Sequence, residues 1–336
     1  MKKYVSIIGV SGYTGLELVK LVLNHPVFEI SHLCTSSGDT LIENLHPSLE
    51  KVLHKEVEKV DIEKISKNSD LVFLALPHKT SMSIAKEFIN RGVKVVDLSA
   101  DYRLDLDTYE MAYCPHEDRK NLKYSAYGLI EFFRDDIKNA KVTASPGCYP
   151  TATLLALLPF IPYLKESSPI FIDAKSGVSG AGKKLTEVNS FVNINENIFA
   201  YNPLKHRHAP EIKEKIEKVY NKSFDINFVP HLIPITRGEL VSIYATLDKD
   251  IDVIEVLKDF YKNEHFIRVR QEPVNVKDVS GTHFCDIYAQ KNGNFLFISS
   301  AIDNLLRGAS SQALAAANIM LNLEESMGLP TIAYVP

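Results

Sequence analysis

The chain is sparing with several things that would have fixed its class at once. It has four cysteines in 336 residues, Cys34, Cys114, Cys148 and Cys285, far apart and with no Cys-x-x-Cys pair. That excludes a disulfide framework and a cysteine zinc site, and free thiols fit a reducing compartment. No excess of one charge exists: 38 Lys and Arg stand against 42 Asp and Glu, a net −4. A dedicated nucleic-acid binder is not expected on that balance. Nor is there a long apolar run. The longest, Ala152 to Leu164, is interrupted by Pro159 and Pro162 and falls short of the ~20 residues a membrane helix needs. The start, Met1 to Gly9, is basic then apolar, but its run is too short for a signal peptide and ends in glycine. Repeats and low-complexity segments are absent too. A cytoplasmic protein without membrane or nucleic-acid partners is expected.

What remains is an ordinary globular composition, 45% hydrophobic and 24% charged. The length exceeds the size at which one core stops growing, so two domains are expected. Tyr4–Val10 and Phe28–Cys34 read as strands with a helix over Leu16–Leu23 between them. Leu71–Leu76 is a continuous apolar run before Pro77, the pattern of a parallel strand buried on both faces. A helix over Ser81–Asn90 and strands at Val93–Leu98 and Lys141–Ala144 complete a βαβ series. The prediction is an α/β Rossmann-type, doubly wound parallel sheet over 1–147. Beyond it, strands at 169–175, 227–232, 239–247, 283–290 and 294–301 carry fewer helices, which predicts an α+β domain with a mostly antiparallel sheet over 148–304. The Ala-rich helix Arg307–Leu323 needs a surface to bury against. We expect it to return to the first domain, which then comprises 1–147 and 305–336.

The first strand ends in Gly9-Val10-Ser11-Gly12-Tyr13-Thr14-Gly15, which opens the first helix. Glycines there permit a tight turn and let backbone N–H groups approach a pyrophosphate at a helix N-terminus. The spacing is G-x-x-G-x-x-G rather than G-x-G-x-x-G, so the position between strand and helix carries the nucleotide reading. An NAD site places an acid at the end of the second strand to bind the ribose 2′-OH. Here that strand ends in Thr35, Ser36 and Ser37, with no carboxylate. NADP is favoured; Asp39 leaves NAD as the minor alternative.

Ser145-Pro146-Gly147-Cys148 stands between a strand and a helix. A cysteine at a helix start feels the positive end of the dipole, which favours the thiolate. Cys34 and Cys285 lie in apolar strand patterns and read as structural, and Cys114 lies in a loop. The partner that a nucleophilic cysteine needs is sought in His206-Arg207-His208, before a helix start at Ala209-Pro210-Glu211. Arg103 follows a strand's carboxyl end and Arg237 sits in a turn; either can hold an anion, and position favours Arg103. Ser176 to Gly182, followed by Lys183 and Lys184, is a second glycine-rich loop able to present backbone donors. No metal site is expected.

Together, Gly9–Gly15, Leu98–Arg103, Pro146–Thr151, Ser176–Gly182, His206–Ile212 and Asp303–Ala309 fall in order along nearly the whole chain. The chain thereby resembles the N-acetyl-gamma-glutamyl-phosphate reductase family, which is related in fold to aspartate-semialdehyde dehydrogenase. The resemblance implies an NADPH-dependent arginine-biosynthesis enzyme that reduces N-acetyl-glutamyl 5-phosphate to the 5-semialdehyde through a cysteine thioester. Cys148 is then the nucleophile and the His-Arg-His segment the acid/base. The sequence does not decide between His206 and His208; His208 is preferred as nearer the helix start. Arg103, Arg237 and Ser145 are assigned to the acyl-phosphate substrate. Gly9, Ser11, Gly12, Tyr13, Thr14, Gly15, Ser36, Ser37, Pro77, Ser179, Gly180, Ala181, Gly182 and Asn304 are assigned to NADP(H). Inorganic phosphate is the second small molecule, and a homo-oligomer, dimer or tetramer, is expected. Arg307 stands where the resemblance leads one to expect lysine. The alternatives are the same chemistry on aspartyl or aminoadipyl phosphate, a cysteine hydrolase or acyl transferase, and a non-catalytic NADP-binding regulator.

Overall fold

The computed structural model describes residues 1–334. The described chain forms two compact units: Met1–Pro146 with Ala309–Leu329, and Gly147–Gly308 with residues 330–334.

The first unit is built on an eight-stranded sheet: β1 (Lys3–Ile8), β2 (Phe28–Thr35), β3 (Thr40–Leu41), β4 (Glu56–Lys59), β5 (Leu71–Leu74), β6 (Lys94–Asp97), β7 (Ser125–Tyr127) and β8 (Val142–Ala144). Their order is β3-β4-β2-β1-β5-β6-β8-β7. All pairs are parallel except β3 with β4. The chain runs outward from β1 to β2 and then returns past it to β5, so a topological switch point lies at the carboxyl end of β1, where open α/β sheets bind ligands. Parallel strands covered on both faces must be apolar throughout, and Leu71–Leu74 is buried at every position. The helices Tyr13–Leu23, Thr80–Asn90 and Ile130–Asn139 belong to this layer system. So does the last helix, Ser311–Met320, buried along its whole length. It is tied down by Lys94 Nζ to Met320 O at 2.7 Å and Gln312 Nε2 to Gly128 O at 2.6 Å. Alanines allow that approach because nothing projects beyond Cβ.

The second unit carries a seven-stranded sheet: β9 (Ile170–Gly177), β10 (Phe199–Ala200), β11 (Ile226–Ile233), β12 (Glu239–Thr246), β13 (Ile267–Val269), β14 (Cys285–Asn292) and β15 (Phe295–Ile302). Its order is β10-β11-β9-β12-β15-β14-β13. Four of the six pairings are antiparallel, while β9–β11 and β13–β14 are parallel. The β9–β11 pair needs a crossover, which the helix His208–Tyr220 supplies. The helix Cys148–Leu157 packs on the central strands β12 and β15. Every residue of it after Cys148 is buried, which explains an apolar run with no polar face. The opposite face of the sheet is less covered. Phe171, Tyr244 and Phe297 stand in register across β9, β12 and β15, and Phe171 is 51% exposed. No described helix is long and apolar enough to cross a membrane.

Candidate active site

In the first unit the glycine turn is held from three sides. Gly9 N–H donates to Cys34 O at 2.8 Å, tying the turn to the end of β2. His46 bonds the Val10 carbonyl through Nε2 at 2.6 Å. Gly9 has φ +96°, and a Cβ there would fall 2.2 Å from Ala75 O. A Cβ on Gly15 would fall 2.3 Å from Gly9 O, so Gly15 lets the first helix close onto the turn. Gly12 differs. The protein leaves room for a Cβ, whose nearest neighbour is Gly9 O at 3.8 Å. Gly12 is also the N-cap of the helix and makes no side-chain cap; the first-turn N–H groups are the ones a helix cannot satisfy internally. Two glycines are thus required by the fold, and the third is not.

Ser11, Tyr13, Ser36, Ser37 and Pro77 are exposed, and Thr14 is half-buried. Thr35 Oγ1 accepts the Gly38 N–H at 3.0 Å and shapes the loop after β2. Asp39 lies just beyond and pairs with Lys59 at 3.5 Å. Arg103 is buried, and its guanidinium donates to Ser145 O at 2.8 Å and Leu98 O at 2.9 Å. Ser145 is buried as well, with Oγ to Ala309 O at 3.3 Å.

The second unit gathers the rest. Cys148 is partly exposed and is the first residue of its helix, after the N-cap Gly147. Gly308 lets the neighbouring turn reach it: a Cβ there would meet Cys148 Cβ at 2.7 Å. The Gly147 N–H donates to Glu211 Oε1 at 3.0 Å, so a buried carboxylate from the first turn of His208–Tyr220 holds the cysteine's helix start. His206 and His208 are both buried, with ring centroids 4.7 Å apart. Both rings meet Tyr149 edge-on, at 5.9 and 5.8 Å. The His208 N–H donates to His206 Nδ1 at 3.2 Å, which leaves the neutral His206 proton on Nε2. Burial, with Arg207 adding, lowers the His206 pKa to about 4; it is a neutral ring at physiological pH. Tyr201 donates to the Tyr149 hydroxyl at 3.2 Å, and Tyr149 donates to His231 O at 3.2 Å.

Sequence reading missed Glu239, the first residue of β12, which is fully buried. Its signal was there in the strand period: residues 239, 241, 243 and 245 share the buried face. Neither of its carboxyl oxygens has a hydrogen-bond partner. Desolvation pushes Glu239 up to about 8, the Cys148 contact opposing it.

Asn304 is committed at both ends within this unit: Oδ1 accepts the Gly238 N–H at 2.7 Å and Nδ2 donates to Ser179 Oγ at 3.0 Å. It ties the Ser179–Gly182 turn to the turn before β12. Within that turn Gly180 and Ala181 complete a 3-10 helix, and Gly182 has φ +83°. Arg237 pairs with the buried Asp303 at 3.3 Å, so its charge is already answered. Arg307 is buried and its guanidinium bonds His283, a tight setting in which lysine would not present the same fork. The other thiols differ from Cys148 as expected. Cys34 is buried, and desolvation, with Glu58 adding, pushes it up to about 12. Cys285 is buried in β14, and Cys114 Sγ lies 3.6 Å from the Tyr109 hydroxyl. Among the described residues no His, Cys, Asp and Glu cluster is built to hold a metal.

Comparison with known proteins follows this division. Residues 4–140 match the semialdehyde dehydrogenase NAD binding domain, and 148–304 the semialdehyde dehydrogenase dimerisation domain. A protein of Sulfurovum sp. (strain NBC37-1) named N-acetyl-gamma-glutamyl-phosphate reductase is 65% identical over 99% of both chains. One of the same name from Wolinella succinogenes is 57% identical over the full length of both. Among solved structures, aspartate semialdehyde dehydrogenase II from Vibrio cholerae shares the fold at 17% identity, covering 96% of this chain and 99% of its own, with TM-score 0.74. An aspartate semialdehyde dehydrogenase with NADP from Candida albicans does so at 15% identity over 96% and 99%, with TM-score 0.70. The chain belongs to the semialdehyde dehydrogenase family and, within it, to the N-acetyl-gamma-glutamyl-phosphate reductases.

Proposed function

We propose that the chain reduces N-acetyl-L-glutamyl 5-phosphate to N-acetyl-L-glutamate 5-semialdehyde with NADPH, releasing phosphate, and that Cys148 is the nucleophile. The observation that carries the chemistry is a partly exposed thiol at the first position of a helix whose next residue, Tyr149, meets the rings of two buried histidines. The substrate comes from full-length relatives at 65% and 57% identity.

The Cys148 thiolate attacks the acyl carbon; the carbon–sulfur bond forms and phosphate leaves with its electron pair. When bound, a nicotinamide cofactor would supply the hydride that the reduction needs. Gly12 and the exposed start of the first helix fit its pyrophosphate. The loop after β2 has no acid from Thr35 to Ser37, and Asp39 is paired with Lys59; this supports NADP over NAD. His208 moves the proton at the substrate oxygen. His206, neutral with its proton on Nε2, serves as a hydrogen-bond donor. Arg103, fixed by two carbonyls, answers the substrate's anion. Arg237 and Asn304 act by holding the turns around β12, and the Ser179–Gly182 turn supports the cofactor side. When the thiohemiacetal collapses, the carbon–sulfur bond breaks and the thiolate returns.

The Phe171–Tyr244–Phe297 row, in the domain whose family is described as a dimerisation domain, supports a homo-oligomer formed through that sheet face. The place of work is the cytoplasm. The test is phosphate-dependent reduction of NADP by N-acetyl-glutamate semialdehyde, followed by absorbance, with aspartate and aminoadipate semialdehydes in parallel. Turnover should be confined to the acetylglutamyl substrate and abolished by Cys148→Ser while NADPH binding survives. Equal turnover of aspartate semialdehyde, or an active Cys148→Ser enzyme, refutes the reading.

A further inference from the structure

Three donors converge on the carboxylate of Asp101, which is fully buried. Its Oδ1 accepts the Lys79 N–H at 3.0 Å and the Tyr109 hydroxyl at 2.7 Å, and its Oδ2 accepts the Met82 N–H at 2.9 Å. Lys79 is the N-cap of the helix Thr80–Asn90 and supplies no side-chain cap. It also has φ +72°, a conformation that a residue with a Cβ keeps only where its surroundings impose it. Asp101 thus caps that helix from another loop, and through Tyr109 it takes hold of the helix Leu106–Ala112 as well. Burial first, with the bond to Asp101 adding, raises the Tyr109 pKa, so that hydroxyl stays a donor.

The two loops joined in this way bracket the carboxyl ends of neighbouring strands. The loop after β5 lies against the glycine turn: a Cβ on Gly9 would fall 2.2 Å from Ala75 O and 3.3 Å from Leu76 Cδ2. The loop after β6 begins beside it, with the Leu98 N–H donating to Leu74 O at 3.0 Å, and closes into a turn by Arg103 N–H to Ala100 O at 3.2 Å. The Asp101 N–H donates to Ser99 Oγ at 3.1 Å, and Ser99 in turn donates to the buried Asp97 at 2.7 Å. On the other side His116 Nε2 meets the Asp101 carbonyl at 2.7 Å.

We propose that Asp101 is a positioning residue, whose carboxylate holds the loop after β5 and the Arg103 turn as one piece so that Arg103 meets the substrate's anion in a fixed place. Arginine has a long side chain, and its bonds to Ser145 O and Leu98 O fix the guanidinium only if the backbone that carries it is fixed. Asp101, two residues earlier, fixes that backbone. The chemistry calls for an acid. Three donors on two oxygens suit a carboxylate, which only accepts, and its charge strengthens each bond. An asparagine would present one acceptor and one donor, and the donor would face an N–H or the Tyr109 hydroxyl. The inference rests on Arg103 answering the substrate's anion, as proposed above.

The test varies inorganic phosphate at saturating N-acetyl-glutamate semialdehyde and NADP. Asp101→Ala should raise the KM for phosphate about tenfold or more and leave kcat within about threefold, the signature of lost binding common to ground and transition states. Asp101→Asn should fall between it and wild type. Tyr109→Phe, which leaves both backbone bonds, should raise KM least. Asn121→Ala is the control. It removes two buried bonds to Asp118, at 3.0 and 2.9 Å, in the same unit without touching Asp101, and should lower the thermal midpoint while KM stays unchanged. An equal rise of KM in Asn121→Ala, or a fall in kcat with KM unchanged in the Asp101 variants, overturns the inference. If Asp101→Ala does not fold, Asp101→Asn decides, and an unchanged KM there overturns it too. A second readout needs no substrate. Hydrogen exchange followed by mass spectrometry should show residues 79–82 and 99–103 released together in Asp101→Asn, with 79–82 still protected in Asn121→Ala. Release of one segment without the other refutes the joint. A wild type that fails to turn over the semialdehyde sinks the reading of function and leaves the exchange result standing, so the two failures are distinguishable.

Discussion

Glu211 offers the sharpest test of how the cysteine is held. Its carboxylate is buried and accepts the Gly147 N–H at 3.0 Å. Gly147 is the N-cap of the helix Cys148–Leu157 and has no side chain of its own to cap it. Glu211→Ala leaves that N–H buried without its acceptor, a cost of about 1–3 kcal/mol. Glu211→Gln keeps an oxygen at the same reach and loses only the charge assistance, about 1 kcal/mol. The chain has no tryptophan, so urea unfolding is best followed by circular dichroism, comparing midpoints at constant slope. The helix start also orients the thiol. A loosened cap should lower turnover at saturating substrate by on the order of 10²-fold in Glu211→Ala, with Glu211→Gln retaining most of it. An alanine variant within 0.5 kcal/mol of wild type, taken here as about the error of such ΔΔG values, refutes the assignment. A glutamine variant as damaged as alanine shows that charge, rather than the hydrogen bond, is what Glu211 provides.

Other expectations follow from the same geometry. Gly15→Ala drives a Cβ to 2.3 Å from backbone and should cost at least ~2 kcal/mol. Gly12→Ala, with room for its Cβ, should cost at most about 1 kcal/mol yet raise the NADPH Kd by tenfold or more; unchanged Kd by titration would refute the cradle. Asn304→Ala removes the acceptor of the buried Gly238 N–H and should destabilise by roughly 1–3 kcal/mol, measured by thermal unfolding. His206 carries a pH dependence. Its pKa is depressed from 6.5 to about 4, so the folded state resists its proton. The associated stability is whole above pH 6.5 and is lost as pH falls toward 4, by about 3 kcal/mol. Replacing His206 by phenylalanine should flatten that acid slope, and identical slopes would refute the burial argument.

The parallel sheet was readable because its central strands are short apolar runs that only a two-sided interior tolerates, Leu71–Leu74 being the clearest. The two outermost strands on the β2 side were not. The edge strand β3 is two residues and its neighbour β4 is Glu-Val-Glu-Lys, with one buried side chain between them. Strands so short and so little buried carry no period to read. The helices Leu106–Ala112 and Ile130–Asn139 went unread as well; the second is interrupted at Phe133, with φ −130° and ψ 24°. In the second sheet the mixed character at β9–β11 depends on a crossover, and a crossover is visible only once the strand order is known.

The candidate site divides along the same line. Cys148, His206 and His208 were legible because turn and helix-start chemistry is local: a glycine before the cysteine, a proline and an acid after the histidines. Glu211 and Glu239 were visible as letters but not as parts, since each acquires its meaning from a partner distant in sequence, Gly147 being 64 residues from Glu211. An acid at the first turn of a helix reads as dipole complementation, and an acid at the start of a strand reads as a solvated end. Alternation argued otherwise for Glu239, because Val241, Ile243 and Ala245 are buried and it shares their face. The physical lesson concerns cost. A strand gains nothing by burying a carboxyl that lacks a well-formed hydrogen bond, so such a residue in the middle of a sheet marks an interaction made elsewhere.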